Sequence, residues 1–169
     1  MTQRDWATMG RTDELSGGGR VPSTGPVIHG VGVDLVYVPQ FAGQLTEPGS
    51  VFSHVFTGRE WEYAMGLTND QHRRMASLAA RWAAKEAAIK AWSALLIGQD
   101  LMIEPDQLNW SHIEVIHDRW KRPVYRFHGS VASALRMLEE DVGGALHWSL
   151  SLSHDGDYAI ASTQVLIYS

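Results

Sequence analysis

The sequence contains no cysteine. That excludes disulfides, a thiolate nucleophile and any sulfur-ligated metal centre, and leaves His, Asp and Glu as possible ligands. It has no excess of positive charge: 14 Lys and Arg stand against 19 Asp and Glu, a net charge of −5. The molecule as a whole is therefore not expected to bind nucleic acid, although a local basic patch stays open. No apolar run approaches the ~18 residues that a membrane helix needs. The first residues lack the apolar core of a signal peptide. A cytoplasmic protein with no membrane partner is the expectation. There are no internal repeats, and no low-complexity tract after residue 26.

What is present suits one domain, because 169 residues with 44% apolar content can bury a real core. Residues 1–26 carry Gly17, Gly18, Gly19, Pro22, Gly25 and Pro26 without a sustained period. They read as a flexible extension, with the domain over 27–169. The domain is organised around Leu78–Trp92, an alanine-rich stretch with no Gly or Pro and high helix propensity. At 100° per residue, Met75, Leu78, Trp82, Ile89, Ser93 and Leu96 share one face, and Ala80, Ala84, Ala87, Ala88 and Ala91 the opposite one. Both faces call for burial. Asn69 or Asp70 is positioned to cap this helix.

Before it, Val27–Val38 reads as a strand with Gly30, Gly32 and Asp34 on one face and Val31, Val33 and Leu35 on the other. A short helix over Gln40–Leu45 follows Pro39. Thr57 and Glu60 have the spacing of a capping box, which opens a helix to Met65. After it, residues 112–117 and 123–128 read as strands joined by a turn, and 129–141 as an amphipathic helix stopped by Gly143 and Gly144. Ala145–Ser153 alternates strictly, and Asp155-Gly156 marks a hairpin into a last strand over 157–165. The order predicts an α+β fold, with helices laid against an antiparallel sheet.

Three ionisable spots break the apolar pattern: Asp34 beside its glycines, Glu86 inside the helix stripe, and the His154-Asp155 corner. Two carboxylates from distant segments suit Mg²⁺, which takes oxygen ligands and often shares them with substrate phosphates. Lys90, one turn after Glu86, has two readings: an ordinary Glu–Lys helix pair, or a cation for a phosphate. His154 reads as a core histidine or as a group that orients a phosphate. Asp155 reads as a turn residue or as a general base.

The motifs resemble a known family. Gly32-Val-Asp34, Phe56-Thr57-x-x-Glu60, Arg81-Trp-Ala-Ala-Lys-Glu86-Ala-x-x-Lys90 and Ser151-Leu-Ser-His154 recur in the order and spacing of the small, trimeric class of 4′-phosphopantetheinyl transferases, the holo-acyl-carrier-protein synthases. The resemblance spans Val27 to Val165. It implies a phosphopantetheinyl-transferase-like fold with its site between the subunits of a homotrimer. It also implies a reaction in which a serine of apo acyl carrier protein, free or as a carrier domain of a fatty acid synthase, attacks the β-phosphate of magnesium-bound coenzyme A. Adenosine 3′,5′-bisphosphate leaves. By this resemblance Asp34 and Glu86 hold the metal. Glu86, Lys90, His154 and Asp155 serve the chemistry, and Lys90, His154, Arg81, Arg122 and Pro123 contact the coenzyme. The competing expectation is a non-catalytic trimeric module that binds coenzyme A within a synthase complex.

Two departures bear on partners. Gln40 stands where the family often has an arginine that meets the carrier, which shifts that role to residues such as Arg59, Arg73 and Arg74. Lys121-Arg122-Pro123 replaces a Gly-x-Pro turn, so Lys121 is expected to change the turn or to meet the coenzyme's 3′-phosphate.

Overall fold

The structure is a computed structural model and describes residues 28–168. The extension expected over 1–26, together with Val27, lies outside the described residues. The elements are β1 (Ile28–Tyr37), α1 (Val38–Thr46), α2 (Gly58–Gly66), α3 (Gln71–Leu95), β2 (Ile113–His117), β3 (Pro123–Phe127), α4 (Gly129–Val142), β4 (Ala145–Asp155) and β5 (Tyr158–Tyr168), with one short 3₁₀ segment between α1 and α2 and two between α3 and β2. The α+β order is the one expected. The strands form two antiparallel sheets: a three-stranded sheet in the order β1-β5-β4, and the β2-β3 hairpin.

Local chemistry sets the boundaries. Pro39 enters α1 in its first turn, where no amide hydrogen bond is lost. Thr57 and Glu60 form the full capping box at the start of α2. Of the two candidates before α3, Asp70 is the cap, accepting from the amides of His72 and Arg73. Gly143 ends α4 in the left-handed conformation at φ +66°, open to glycine at no steric cost.

Helix α3 crosses the three-stranded sheet on the face that carries Gly30, Gly32, Ala159, Ala161 and Val165. The approach is close because both sides are small. Ala83, Ala84, Ala87 and Ala91 are fully buried, and a methyl group at Gly30 or Gly32 would overlap the carbonyl oxygen of Ala91 or Ala87. The alanine face predicted from the sequence is thus the tight one. The face with Met75, Trp82, Ile89 and Ser93 is only partly covered and borders grooves. The β2-β3 hairpin is tied to this layer by Tyr125, whose hydroxyl donates to the Ala84 carbonyl at 2.7 Å and lies 2.6 Å from the Thr163 hydroxyl. The far face of the sheet is open, with Val31, Val33 and Leu35 50%, 49% and 60% exposed. No helix among the described residues is long and apolar enough to cross a membrane.

The close approach predicts unequal glycine substitutions. Gly32→Ala should lower the unfolding free energy by about 2–3 kcal/mol in urea titration, through forced overpacking against backbone. Gly43→Ala, in α1 with open space around it, should be neutral or stabilise by about 0.5–1 kcal/mol.

Candidate active site

Asp34 lies one strand repeat beyond Gly32, on the face of β1 that α3 covers. The helix brings Lys90 to it. Lys90 Nζ donates to Asp34 Oδ1 at 2.8 Å and to the Val33 carbonyl at 3.2 Å. The ordinary Glu86–Lys90 helix pair is therefore not the hydrogen bond that forms; Lys90 reaches across to the sheet instead. Glu86, one turn earlier, is half-buried. Its pKa is raised by burial and by the nearby Asp34 carboxylate, with Lys90 opposing. Two carboxylates and one ammonium thus converge from β1 and α3. Among the described residues no group of three or more His, Cys, Asp or Glu gathers as a complete metal cage. A pair of oxygen donors from well-separated segments fits a hard divalent ion that takes its remaining ligands from a phosphate or water.

Glu86 sits where three hollows meet. One is a mostly apolar cavity of 280 Å³ against Ile89, Trp92 and Leu108. The second is a shallow groove past Asp34, Gln40 and Gln44. The third is a wide groove lined by Val51, Phe52, Trp82 and Trp110. The cavity has no other charged side chain on its wall, whereas the two grooves also carry Asp34 and Asp106.

His154 and Asp155 are exposed and lie elsewhere. They end β4 and line a separate hollow with His72 and Arg73. The register explains the separation: Asp34 faces Ala161 across β1-β5, and Ala161 faces Leu152, so His154 is one strand further over and two residues further along. A single chain brings Asp34, Glu86 and Lys90 together and leaves His154 and Asp155 apart from them.

Arg81 also faces away from Glu86. It is 2% exposed and lines a basic pocket of 310 Å³ with Arg59, Tyr63, His117, Lys121 and Arg126. Its Nη1 donates to the Ser77 carbonyl at 2.9 Å and the Ser77 hydroxyl at 2.6 Å, and its guanidinium stacks over Tyr63 at 4.4 Å. Its Nε and Nη2 have no partner. Burial lowers the Arg81 pKa, with Glu60 and Tyr63 opposing. His117 stacks on the same Tyr63 ring at 4.5 Å, and its Nδ1 is also unpaired. Burial and the Arg81 and Lys121 charges push His117 down and keep it neutral at pH 7. Lys121 takes the left-handed conformation of the missing turn glycine, φ +66°, the one non-glycine residue described there. Arg122 is held differently. It bonds Asp118 at 2.7 and 2.6 Å and stacks on exposed Trp120 at 4.7 Å, while Pro123 opens β3. Of the expected carrier-facing arginines, Arg59 lines this pocket, Arg73 pairs with Asp70 at 3.7 Å, and Arg74 donates to the Thr68 carbonyl at 2.6 Å.

One feature of the helix motif escaped the sequence reading. Lys85, next to Glu86, is fully buried and paired with fully buried Glu60 at 3.0 Å. Its ammonium also donates to the Trp110 and Ile113 carbonyls. Glu60 in turn accepts from the amides of Thr57 and Val115. The pair ties α2, α3 and β2 together behind the site. Burial lowers the Lys85 pKa, with Glu60 opposing. A signal existed: Lys85 stands seven residues after Leu78 and seven before Trp92, on the buried side of the helix.

Residues 30–163 match the sequence profile of the 4′-phosphopantetheinyl transferase superfamily. The chain is 45% identical over 134 residues to the holo-acyl-carrier-protein synthase of Corynebacterium efficiens, covering 78% of this chain and 89% of that one. It is 43% identical to the Mycobacterium tuberculosis protein of the same name, covering 79% and 93%. Among solved structures, a complex of the Chronobacterium ammoniagenes synthase with coenzyme A superimposes with a TM-score of 0.73 at 45% identity, covering 83% of this chain and 98% of that one. The fold and the site thus define a phosphopantetheinyl transferase. Within that superfamily, the chain belongs to the holo-acyl-carrier-protein synthase family.

The buried pair predicts a large stability effect. Lys85→Met should cost about 3–5 kcal/mol, because it strands a buried carboxylate. Lys85→Met combined with Glu60→Met should recover a substantial part of that loss in the same urea titration.

Proposed function

We propose that this protein transfers 4′-phosphopantetheine from coenzyme A to a serine of an apo acyl carrier protein, in the cytoplasm and in support of fatty acid synthesis. The observation that carries the reading is the convergence of Asp34, Glu86 and Lys90 from two elements at a junction of grooves.

Asp34 and Glu86 would hold a magnesium ion, which when bound neutralises the diphosphate of the coenzyme. Lys90 adds a cation beside the same phosphates. Such positioning and charge neutralisation account for most of phosphoryl-transfer catalysis. The serine oxygen attacks the β-phosphorus. A new O–P bond forms as the bond to the bridging oxygen breaks, and the electron pair leaves with adenosine 3′,5′-bisphosphate. The serine proton passes to a carboxylate, with Asp155 and Glu86 the candidates. The basic pocket around Arg81 suits the coenzyme's 3′-phosphate, since Arg59, Lys121 and Arg126 also line it. Pro123 and Arg122 flank it on the hairpin.

His154 and Asp155 reach the reacting phosphate from a neighbouring copy of the chain. The open apolar face of β1 supports that assembly, because a row of half-exposed Val31, Val33 and Leu35 favours cover by another subunit. The reading is a homotrimer in which each site draws on two chains.

Calorimetry with coenzyme A and magnesium tests the metal assignment. Asp34→Asn and Glu86→Gln should each weaken magnesium-dependent coenzyme binding by about tenfold or more; undiminished binding in both would overturn it. Because the Glu86 pKa is raised, protons compete with the metal at a higher pH than for an ordinary glutamate. Magnesium-assisted binding should therefore fall as pH drops through that raised pKa, and Glu86→Gln should lose this step. Mixing Asp34→Asn chains with His154→Ala chains should restore turnover that neither variant has alone, if sites are shared between subunits.

A further inference from the structure

The His154-Asp155 corner keeps its direction without help from its own side chains. Both are exposed at the end of β4, and neither makes a side-chain hydrogen bond or ion pair among the described residues. Where they point is therefore set by the backbone of the turn into β5. Gly156 takes the left-handed conformation there, φ +51°, with open space around it.

Two hydrogen bonds hold this turn from outside the hairpin. The Val38 amide, the first of α1, donates to the Asp157 carbonyl at 2.8 Å. His72, in the first turn of α3, brings its Nε2 to 3.1 Å from the Gly156 carbonyl oxygen. A carbonyl only accepts, so Nε2 carries the proton. Among the described residues, His72 is the one side chain found to hydrogen-bond residues 155–157, and it lines the same hollow as His154 and Asp155. Asp70 accepts from the His72 amide at 2.9 Å, which fixes the backbone from which the imidazole reaches out.

We propose that His72 is a positioning residue for the transfer: its imidazole holds the β4-β5 turn so that His154 and Asp155 meet the phosphate bound by a neighbouring copy. This rests on the shared-site reading above. The helix that presents Glu86 and Lys90 to its own site thus steadies, at its first turn, the corner that serves the neighbour's. One exposed hydrogen bond adds little to folding, whereas a small displacement of a reacting group is costly in rate. The effect of His72 therefore falls on turnover.

The test puts one substitution on either side of a shared site. Asp34→Asn chains, which keep the corner, are mixed with His154→Ala chains, which keep both carboxylates, and the rate of phosphopantetheine transfer to an apo carrier is followed by mass. In that mixture only the Asp34→Asn chains supply an intact corner. His72→Phe keeps a ring and removes the N–H. It should slow the restored transfer about three- to tenfold when carried by the Asp34→Asn chains, and leave it unchanged when carried by the His154→Ala chains. His72→Gln, whose amide donates at similar reach, should recover most of the loss. Equal losses in the two placements, no loss in either, a loss confined to the His154→Ala chains, or a His72→Gln variant as slow as His72→Phe would overturn the assignment of His72. An active wild type whose parent mixture stays silent would overturn the shared site and this assignment with it. Wild type that transfers nothing to any carrier would overturn the proposed function as well.

Discussion

The close contact between α3 and the three-stranded sheet is the constraint on which the site depends. Alanines on the helix meet Gly30 and Gly32 on β1, with no room for a methyl group. That approach draws Asp34, next on the same face of the strand, into hydrogen-bond range of Lys90. A helix with larger residues on that face would stand further from the sheet, and the carboxylates of β1 and α3 would no longer share one charge environment. Packing of small residues, more than any single ion pair, therefore sets the geometry of the chemistry.

Charge on α3 is divided by position around the helix. Lys85 and Glu86 are adjacent in sequence yet point to different environments. Lys85 is sealed against Glu60 and backbone carbonyls, where breaking the pair would be costly and its charge serves architecture. Glu86 opens to three hollows beside Asp34, where burial and the Asp34 carboxylate raise its pKa. Arg81 points a third way, into a basic pocket with donors left unpaired. One helix thus holds a buried anchor, a half-buried carboxylate beside Asp34 and a buried guanidinium within six residues.

Much of this was legible in the sequence, for physical reasons. The capping box at Thr57, the alternation in β4, the Asp-Gly hairpin and the glycine stop after α4 are local signals, and local structure follows them. Asp34 and Glu86 stood out because each interrupts an apolar pattern, and Lys90 because it lies one turn after Glu86. What was not legible depends on contacts between distant segments. Glu60 read only as the third residue of a capping box, and nothing local linked it to Lys85, 25 residues on. Tyr63, His117 and Arg126 join Arg81 only because α2, α3 and the β2-β3 hairpin meet. The resemblance placed His154 and Asp34 in one site between subunits; within one chain they lie apart, since β5 lies between their strands. That separation is what makes a second copy necessary to the reading.

The central claim is transfer of one phosphopantetheine to a carrier serine. Its most direct measurement is intact-mass spectrometry of candidate apo carrier proteins incubated with this protein, coenzyme A and magnesium. The account predicts a mass gain of one phosphopantetheine on a carrier, absent without magnesium and with Asp34→Asn. No mass gain on any carrier, from protein that binds coenzyme A, would contradict it and favour a docking role.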